Sequence, residues 1–234
     1  MKVLVIIPCY NEEKNILNVV NELKKYKYDY VVINDGSKDK SLDVLSENKL
    51  NYINLNNNVG IGAAMQTGYK YAYINNYDIA IQFDGDGQHD ASYIEKIIKP
   101  IENGKADIVI GSRFVGSESK FKSTRMRQIG ISLLSYLLKK MTKYEIKDMT
   151  SGFRAVDKDI IKIFAKTYPY EYPEPVTNFY LCNKGYKVKE VSVSMRERKY
   201  GKSSISAFKS LYYMFNVVLL FVLTYFFKGD DFSA

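Results

Sequence analysis

The sequence predicts an α/β fold, a mostly parallel sheet covered by helices. Three observations predict it. Over the first hundred residues, short β-branched runs alternate with helix-spaced segments in units of about 25–30 residues, the pattern of βαβ crossovers. The strand-like runs are nearly continuous in apolar residues, as strands covered on both faces require. Each of the first four runs is followed by a polar cluster, where open α/β sheets bind their ligands.

The elements follow in order. Residues 3–7 form an apolar strand, and residues 12–26 a helix on the spacing of Ile16, Val19, Val20 and Leu23. Residues 30–34 form a second strand, 41–45 part of a helix, and 52–55 a third strand. Residues 61–74 are helical, 78–83 a strand, 91–101 helical and 106–111 a further strand. Beyond Gly111 the pattern changes. Residues 112–127 are polar and basic, 129–141 helical, 148–154 rich in turn formers, and Pro173 opens another helix. Residues 186–195 alternate as a strand does, 196–204 form a basic loop, and 205–227 an apolar helix. The expected division is a domain over residues 1–204 and an attachment helix over 205–234.

The 234 residues suffice for one full core, and the net charge of +8 is unevenly placed. Residues 1–100 hold 11 Lys and Arg against 13 Asp and Glu, a balance of −2, which leaves +10 for the remainder. The second half is therefore the place for an anionic partner or a membrane surface. Its arginines lie beside an apolar tail rather than on an aromatic-studded basic face, which speaks against nucleic acid. Cys9 and Cys182 fit neither a disulfide framework nor a zinc spacing. The N-terminus lacks the run length and cleavage site of a signal peptide.

The densest chemistry is Asp84-Gly-Asp-Gly-Gln-His-Asp90. Two carboxylates flanking Gly85 repel each other unless a cation lies between them. Hard oxygen ligands suit Mg²⁺ or Mn²⁺, which retain waters and bind substrate phosphates, and Gln88 adds a neutral oxygen. Asp84, Asp86, Asp90 and Glu95 also fall at positions 1, 3, 7 and 12 of a calcium loop, but His89 stands where that loop needs glycine. An Asp/Gly turn capping the next helix would use the same residues. As the single histidine, His89 is expected to be structural or close to phosphate rather than a base. Asn58-Val-Gly60-Ile-Gly62-Ala-Ala-Met65 follows the third strand and opens a helix, yet ends in Met where a dinucleotide fingerprint wants Gly or Ala. Its glycines are expected to let backbone approach an anion at the helix N-terminus. Asp35, with Ser37 and Asp39, can accept hydrogen bonds from a base or ribose, or cap the helix at Ser41.

Taken in order, Pro8-x-Tyr10-Asn-Glu12, Asn34-Asp35-Gly-Ser37, Gly60-x-Gly62-Ala-Ala and Asp84-Gly-Asp86-Gly-Gln88-His89 resemble the inverting family 2 glycosyltransferases of GT-A (Rossmann-like) fold. The branch of dolichyl- and polyprenyl-phosphate sugar synthases is the most similar. The likeness continues through Gly111-Ser-Arg113, Asp148-x-x-Ser-Gly-Phe-Arg154 and Arg196-Glu-Arg198-x-x-Gly201-x-Ser203-Ser204, and so spans nearly the whole chain. It implies that Pro8, Tyr10, Glu12 and Asp35, with Ser37, hold the nucleotide's base and ribose. Gly60, Gly62 and Gly85 would line the donor site. Asp84, Asp86 and Gln88 would bind the metal and the donor diphosphate, and Arg113, Arg198 and Lys202 would contact phosphates. Asn34 stands where many relatives carry a first Asp, and Val176 where similar bacterial chains carry a second Glu.

The implied reaction moves a sugar from a nucleotide-sugar, UDP favoured and GDP open, to polyprenyl phosphate at the cytoplasmic face of the cell membrane. A divalent cation and arginines would stabilise the leaving diphosphate. A lipid phosphate is largely dianionic, with a second pKa near 6, and needs no base. A saccharide hydroxyl, the alternative acceptor, would need one. Asp148 is the candidate base or positioning residue, and Arg125 with Arg127 the acceptor-phosphate clamp. A nucleotide- or calcium-binding module is the reading without catalysis. Residues 211–227 carry no charge over 17 positions. As a helix they span roughly 26 Å, just short of a ~30 Å hydrocarbon core. Tyrosines and phenylalanines at both ends read as an aromatic belt, so membrane lipid is an expected partner. Similar bacterial synthases with so short an anchor imply a small multi-spanning membrane protein as a further partner; oligomer contact is the other use of such a helix.

Overall fold

The computed structural model describes residues 1–116, 125–197 and 216–221, the side chains of 125–129 aside. Along the chain run β1 (Val3–Cys9), α1 (Ile16–Lys25), β2 (Asp29–Asp35), α2 (Ser41–Glu47), β3 (Tyr52–Leu55) and α3 (Ile61–Ile74). Next come β4 (Ile79–Gln82), a 3-10 turn (Ala91–Tyr93), α4 (Ile94–Glu102), β5 (Ile108–Ser112) and α5 (Arg125–Thr142). The described chain continues with β6 (Arg154–Asp157), α6 (Lys158–Lys166), α7 (Pro173–Asn183) and β7 (Val188–Ser192).

Among the described residues the strands form one sheet in the order β3-β2-β1-β4-β6-β5-β7. β1 pairs parallel with β2 and β4, and β2 with β3. β6 runs antiparallel between β4 and β5, and β5 pairs parallel with β7. The mostly parallel sheet is as expected, while β6 and α6 were not read from the sequence.

Successive strand residues point to opposite faces, and the two faces bury different helices. Leu4, Ile6, Val31, Ile33, Ala80 and Ile110 pack with α3, α5, α6 and α7. Val5, Ile7, Val32, Ile81, Val109 and Ala155 pack with α1 and α4. Helices cover both faces, which is why the buried strands β1, β2, β4 and β5 read as largely apolar runs. α4 shows the helical counterpart: Ile94, Ile97, Ile98 and Ile101 are all buried, each contributing roughly 1.5–3 kcal/mol.

The expected attachment helix over 205–234 lies outside the described residues except for 216–221, which are helical. There Val217 and Phe221, one turn apart, are buried in the core beside α7. The Phe221 ring stacks on Phe179 at 4.5 Å, and Asn216 Nδ2 donates to the Tyr172 hydroxyl at 3.3 Å. Among the described residues no helix is long and apolar enough to cross a membrane.

Candidate active site

The four parallel strands β1 to β4 end on one rim, and hydrogen bonds tie their loops together. The amide of Asn11 donates to Ser37 Oγ at 3.0 Å, Glu12 N to Ser41 Oγ at 2.8 Å and Glu13 N to Asp39 Oδ2 at 3.1 Å. In return, Lys38 N donates to Asn11 Oδ1 at 2.8 Å and Lys40 N to Glu13 Oε2 at 3.0 Å. Ser37 Oγ also donates to Asn34 Oδ1 at 2.6 Å. The loop carrying Pro8, Tyr10 and Glu12 is thus braced against the loop carrying Asp35 and Ser37. Tyr10 stays 41 % exposed on this rim.

Asp35 is buried, and its carboxylate spans to the next loop. Oδ1 accepts the amide of Val59 at 2.8 Å and Oδ2 that of Gly60 at 3.0 Å. Its expected capping partner was Ser41, but that amide goes to Asp39 at 2.9 Å. Gly60 takes φ +90° at the start of α3, a conformation L side chains rarely adopt, and faces open space. Gly62 makes a different close approach from the expected one. A Cβ there would lie 2.2 Å from the Pro169 carbonyl oxygen, so this glycine seats α3 against the chain before α7.

The acidic turn after β4 is propped from below. His89 is buried, its ring stacked on Phe153 at 4.8 Å and edge-on to Phe83 at 5.3 Å. The Asp84 amide donates to His89 Nδ1 at 3.0 Å, so Nδ1 carries no proton. The proton therefore sits on Nε2, which faces Asp84 Oδ2 at 3.5 Å. The histidine is a structural prop. A Cβ on Gly85 would reach the Pro8 carbonyl at 2.9 Å, so this glycine lets the turn lie against the first loop.

Asp86 is buried and its Oδ1 accepts the Gln88 amide at 3.0 Å. Burial raises the Asp84 carboxyl above the usual range; the His89 ring opposes this, Asp86 and Glu174 add to it, and the Gln82 amide opposes it. A cation at the turn would reverse that shift. The donor set is all oxygen, which suits Mg²⁺ or Mn²⁺. Among the described residues, no three His, Cys, Asp or Glu side chains converge to cage an ion. An ion held here would draw other ligands from water and substrate phosphate. Asp90 is turned away: it accepts Ser92 N at 2.9 Å and pairs with Arg196 at 2.9 Å. The calcium-loop alternative loses that ligand.

Gln88 brings in the basic segment. Arg196 N donates to the Gln88 carbonyl at 2.8 Å, and Gln88 Nε2 to the Arg196 carbonyl at 3.3 Å. Glu22 clamps the Arg196 guanidinium at 2.6 and 3.0 Å. The expected phosphate contacts Arg198 and Lys202 lie outside the described residues, as do the side chains of Arg125 and Arg127.

Arg113 and Asp148 form one buried unit. Asp148 is 0 % exposed; Oδ2 accepts the amide and Nε of Arg113 at 2.9 and 2.7 Å, and Oδ1 accepts Nη2 at 2.7 Å. Nη2 also donates to Thr150 Oγ1 at 3.0 Å. Both oxygens of the Asp148 carboxylate are thus engaged by Arg113. Glu174, to which the sequence reading assigns no role, also reaches the site, accepting Gln82 Nε2 at 3.0 Å. Its partner lies 92 residues away, so no local pattern announces it.

A model of the family described as Glycosyl transferase family 2 matches residues 4–164. The UDP-N-acetylglucosamine–dolichyl-phosphate N-acetylglucosaminyltransferase of Methanococcus voltae is 38 % identical, over 70 % of this chain and 72 % of its own. The polyprenol monophosphomannose synthase of Mycolicibacterium smegmatis is 25 % identical over 92 % of this chain and 85 % of its own. In fold, the chain is similar to glucosyl-3-phosphoglycerate synthase from Mycobacterium tuberculosis, solved with Mn²⁺, UDP-glucose and phosphoglyceric acid. The TM-score is 0.70 at 15 % identity, covering 95 % of this chain and 79 % of that one.

Proposed function

The chain belongs to glycosyl transferase family 2 and is a glycosyltransferase, and we propose that it transfers one sugar from a UDP-sugar to polyprenyl phosphate. The observation that carries this reading is the Asp84–Asp86 turn, held at the carboxyl edge of the sheet by His89 and joined through Gln88 to the basic segment at Arg196. The names of its relatives support the acceptor, and the Methanococcus voltae name supports a UDP donor.

Asp84, Asp86 and Gln88 would hold Mg²⁺ or Mn²⁺, which supplies positive charge to the leaving diphosphate. The loops of Pro8, Tyr10, Glu12, Asp35 and Ser37 would seat the nucleoside, with Gly60 at the adjacent helix start. Arg198 and Lys202 are assigned to donor phosphates, and Arg125 with Arg127 to the acceptor phosphate. A phosphate oxygen of the acceptor forms the new bond to the sugar's anomeric carbon from the face opposite the diphosphate. The old C–O bond breaks and its electron pair leaves with UDP. The acceptor oxygen is already ionised, so no side chain need take a proton. Asp148 then fixes Arg113. Residues 205–234 would attach the domain to the cytoplasmic face of the membrane, with Val217 and Phe221 docking the segment on α7.

The test offers detergent-solubilised undecaprenyl phosphate and soluble sugars separately, with labelled UDP-N-acetylglucosamine, UDP-glucose or GDP-mannose and Mn²⁺. Label appearing in the lipid phase supports the proposal. Label reaching only soluble sugars would replace it with transfer to a saccharide hydroxyl.

A further inference from the structure

Below the Asp84–Asp86 turn the apolar sheet holds a polar group that burial alone disfavours. Gln82 closes β4 at 1 % exposure and Arg154 opens β6 at 0 %. The two are register partners on antiparallel strands, so their side chains leave the same face with Cβ atoms about 5 Å apart. Arg154 Nη1 donates to Thr177 Oγ1 at 2.7 Å and Nη2 to the Ser151 carbonyl at 3.3 Å. Among the described residues its Nε, and the Oε1 of Gln82, have no hydrogen-bond partner. Apolar side chains of similar size would sit here at lower cost. Something else must call for the polar pair.

Charge fixes how the Gln82 amide lies. Its Nε2 donates to Glu174 Oε1 at 3.0 Å. A Cβ on Gly152 would meet Gln82 Nε2 at 3.0 Å and both Asp84 oxygens at 3.1 Å, so amide nitrogen and carboxylate crowd the same point. Turned over, the amide would press its oxygen against two carboxylates. The donor end must therefore face Glu174 and Asp84, and the Gln82 side chain is hydrogen-bonded to Asp84. Its oxygen is left facing away, in a region to which Arg154 brings positive charge from the adjoining strand.

We propose that Glu174 and Gln82 are positioning residues for Asp84. Glu174, in the first turn of α7, anchors one N–H of the Gln82 amide, and the other N–H holds the Asp84 carboxylate in the orientation a divalent ion requires. Outer groups of this kind set ligand geometry, and their loss lowers metal affinity about 10- to 100-fold. The inference rests on the reading of the turn as a divalent-ion seat.

The test measures Mn²⁺ binding by the full chain in the presence of UDP, from the loss of the free-ion electron paramagnetic resonance signal. Melting temperature is recorded alongside. Wild type binds and Asp86→Ala does not. Gln82→Met and Glu174→Leu weaken Mn²⁺ roughly 10- to 100-fold, whereas Glu174→Gln, which keeps an acceptor oxygen, recovers most of the affinity. Should Gln82→Met fail to fold, the contrast between Glu174→Leu and Glu174→Gln on the half-buried α7 position decides alone. Equal Mn²⁺ affinity in wild type and Glu174→Leu, with Asp86→Ala still inactive in binding, overturns the positioning role and leaves the ion seat standing. No Mn²⁺ binding by wild type overturns both.

Discussion

Replacing Asp148 by alanine separates a positioning role from a proton-accepting one. The carboxylate is fully buried and receives three hydrogen bonds from Arg113, at 2.9, 2.7 and 2.7 Å. Arg113 is itself only 6 % exposed. Asp148→Ala strands that guanidinium away from bulk water with its main counter-charge gone. Breaking a buried pair from one side costs about 3–5 kcal/mol. In a chain of this size each kcal/mol moves the melting temperature by about 2–4 °C, so a fall of about 6–20 °C is expected. Scanning calorimetry reads it. Replacing both partners, as Arg113→Met with Asp148→Leu, leaves no unpaired charge and should return most of the stability. Any activity loss in Asp148→Ala should then be insensitive to pH. A melting temperature within 2 °C of wild type, together with a rate that rises with pH only when Asp148 is present, would refute this reasoning and return Asp148 to the role of base.

Three further outcomes follow from particular contacts. Burial, with Asp107 and Asp159 adding to it, lifts the Asp157 carboxyl to about 6 from 3.8. The native state therefore holds that proton more tightly than the unfolded chain, and this residue's contribution to stability falls as pH rises through the interval between those values. Asp157→Asn keeps an acceptor for the Ile160 amide, so it should melt higher than wild type near pH 7.5 and show no gain near pH 4. Gly152→Ala places a methyl about 3 Å from the Gln82 nitrogen and both Asp84 oxygens; those side-chain ends can yield, so the melting temperature should change little while Mn²⁺ affinity falls about tenfold. Phe221→Ala removes a ring stacked on Phe179 at 4.5 Å and should cost about 3–5 kcal/mol in urea unfolding, whereas no cost would mean that the segment does not dock there.

The parts legible in the sequence are those whose signal is local. The first four strands and their helices announce themselves by period, and the helix over 61–74 matches α3 at both ends. The acidic turn could be read from two carboxylates about one glycine. β6 could not. Its four residues begin with an arginine and end with an aspartate, and its place depends on pairing with Gln82 and Ile110, more than forty residues back. α6 is readable in principle, since Ile160, Ile161, Phe164 and Ala165 repeat on one face, but it follows β6 without a turn to mark its start. The contact of Glu174 was illegible for the same reason as β6: its hydrogen-bond partner is set by tertiary pairing. Asp35 reads from the sequence as an acceptor for a base or ribose or as a cap for the helix at Ser41, and what its oxygens bind here, the amides of Val59 and Gly60, could not be told from its neighbours.

The central claim is that the turn opened by Asp84 seats a divalent ion completed by the donor diphosphate. An anomalous difference map collected at the manganese edge, from crystals soaked in Mn²⁺ and UDP, addresses it most directly. A peak is expected at the Asp84 and Asp86 carboxylates, within bonding distance of a diphosphate oxygen. A well-ordered nucleotide with no anomalous peak at that turn would contradict it.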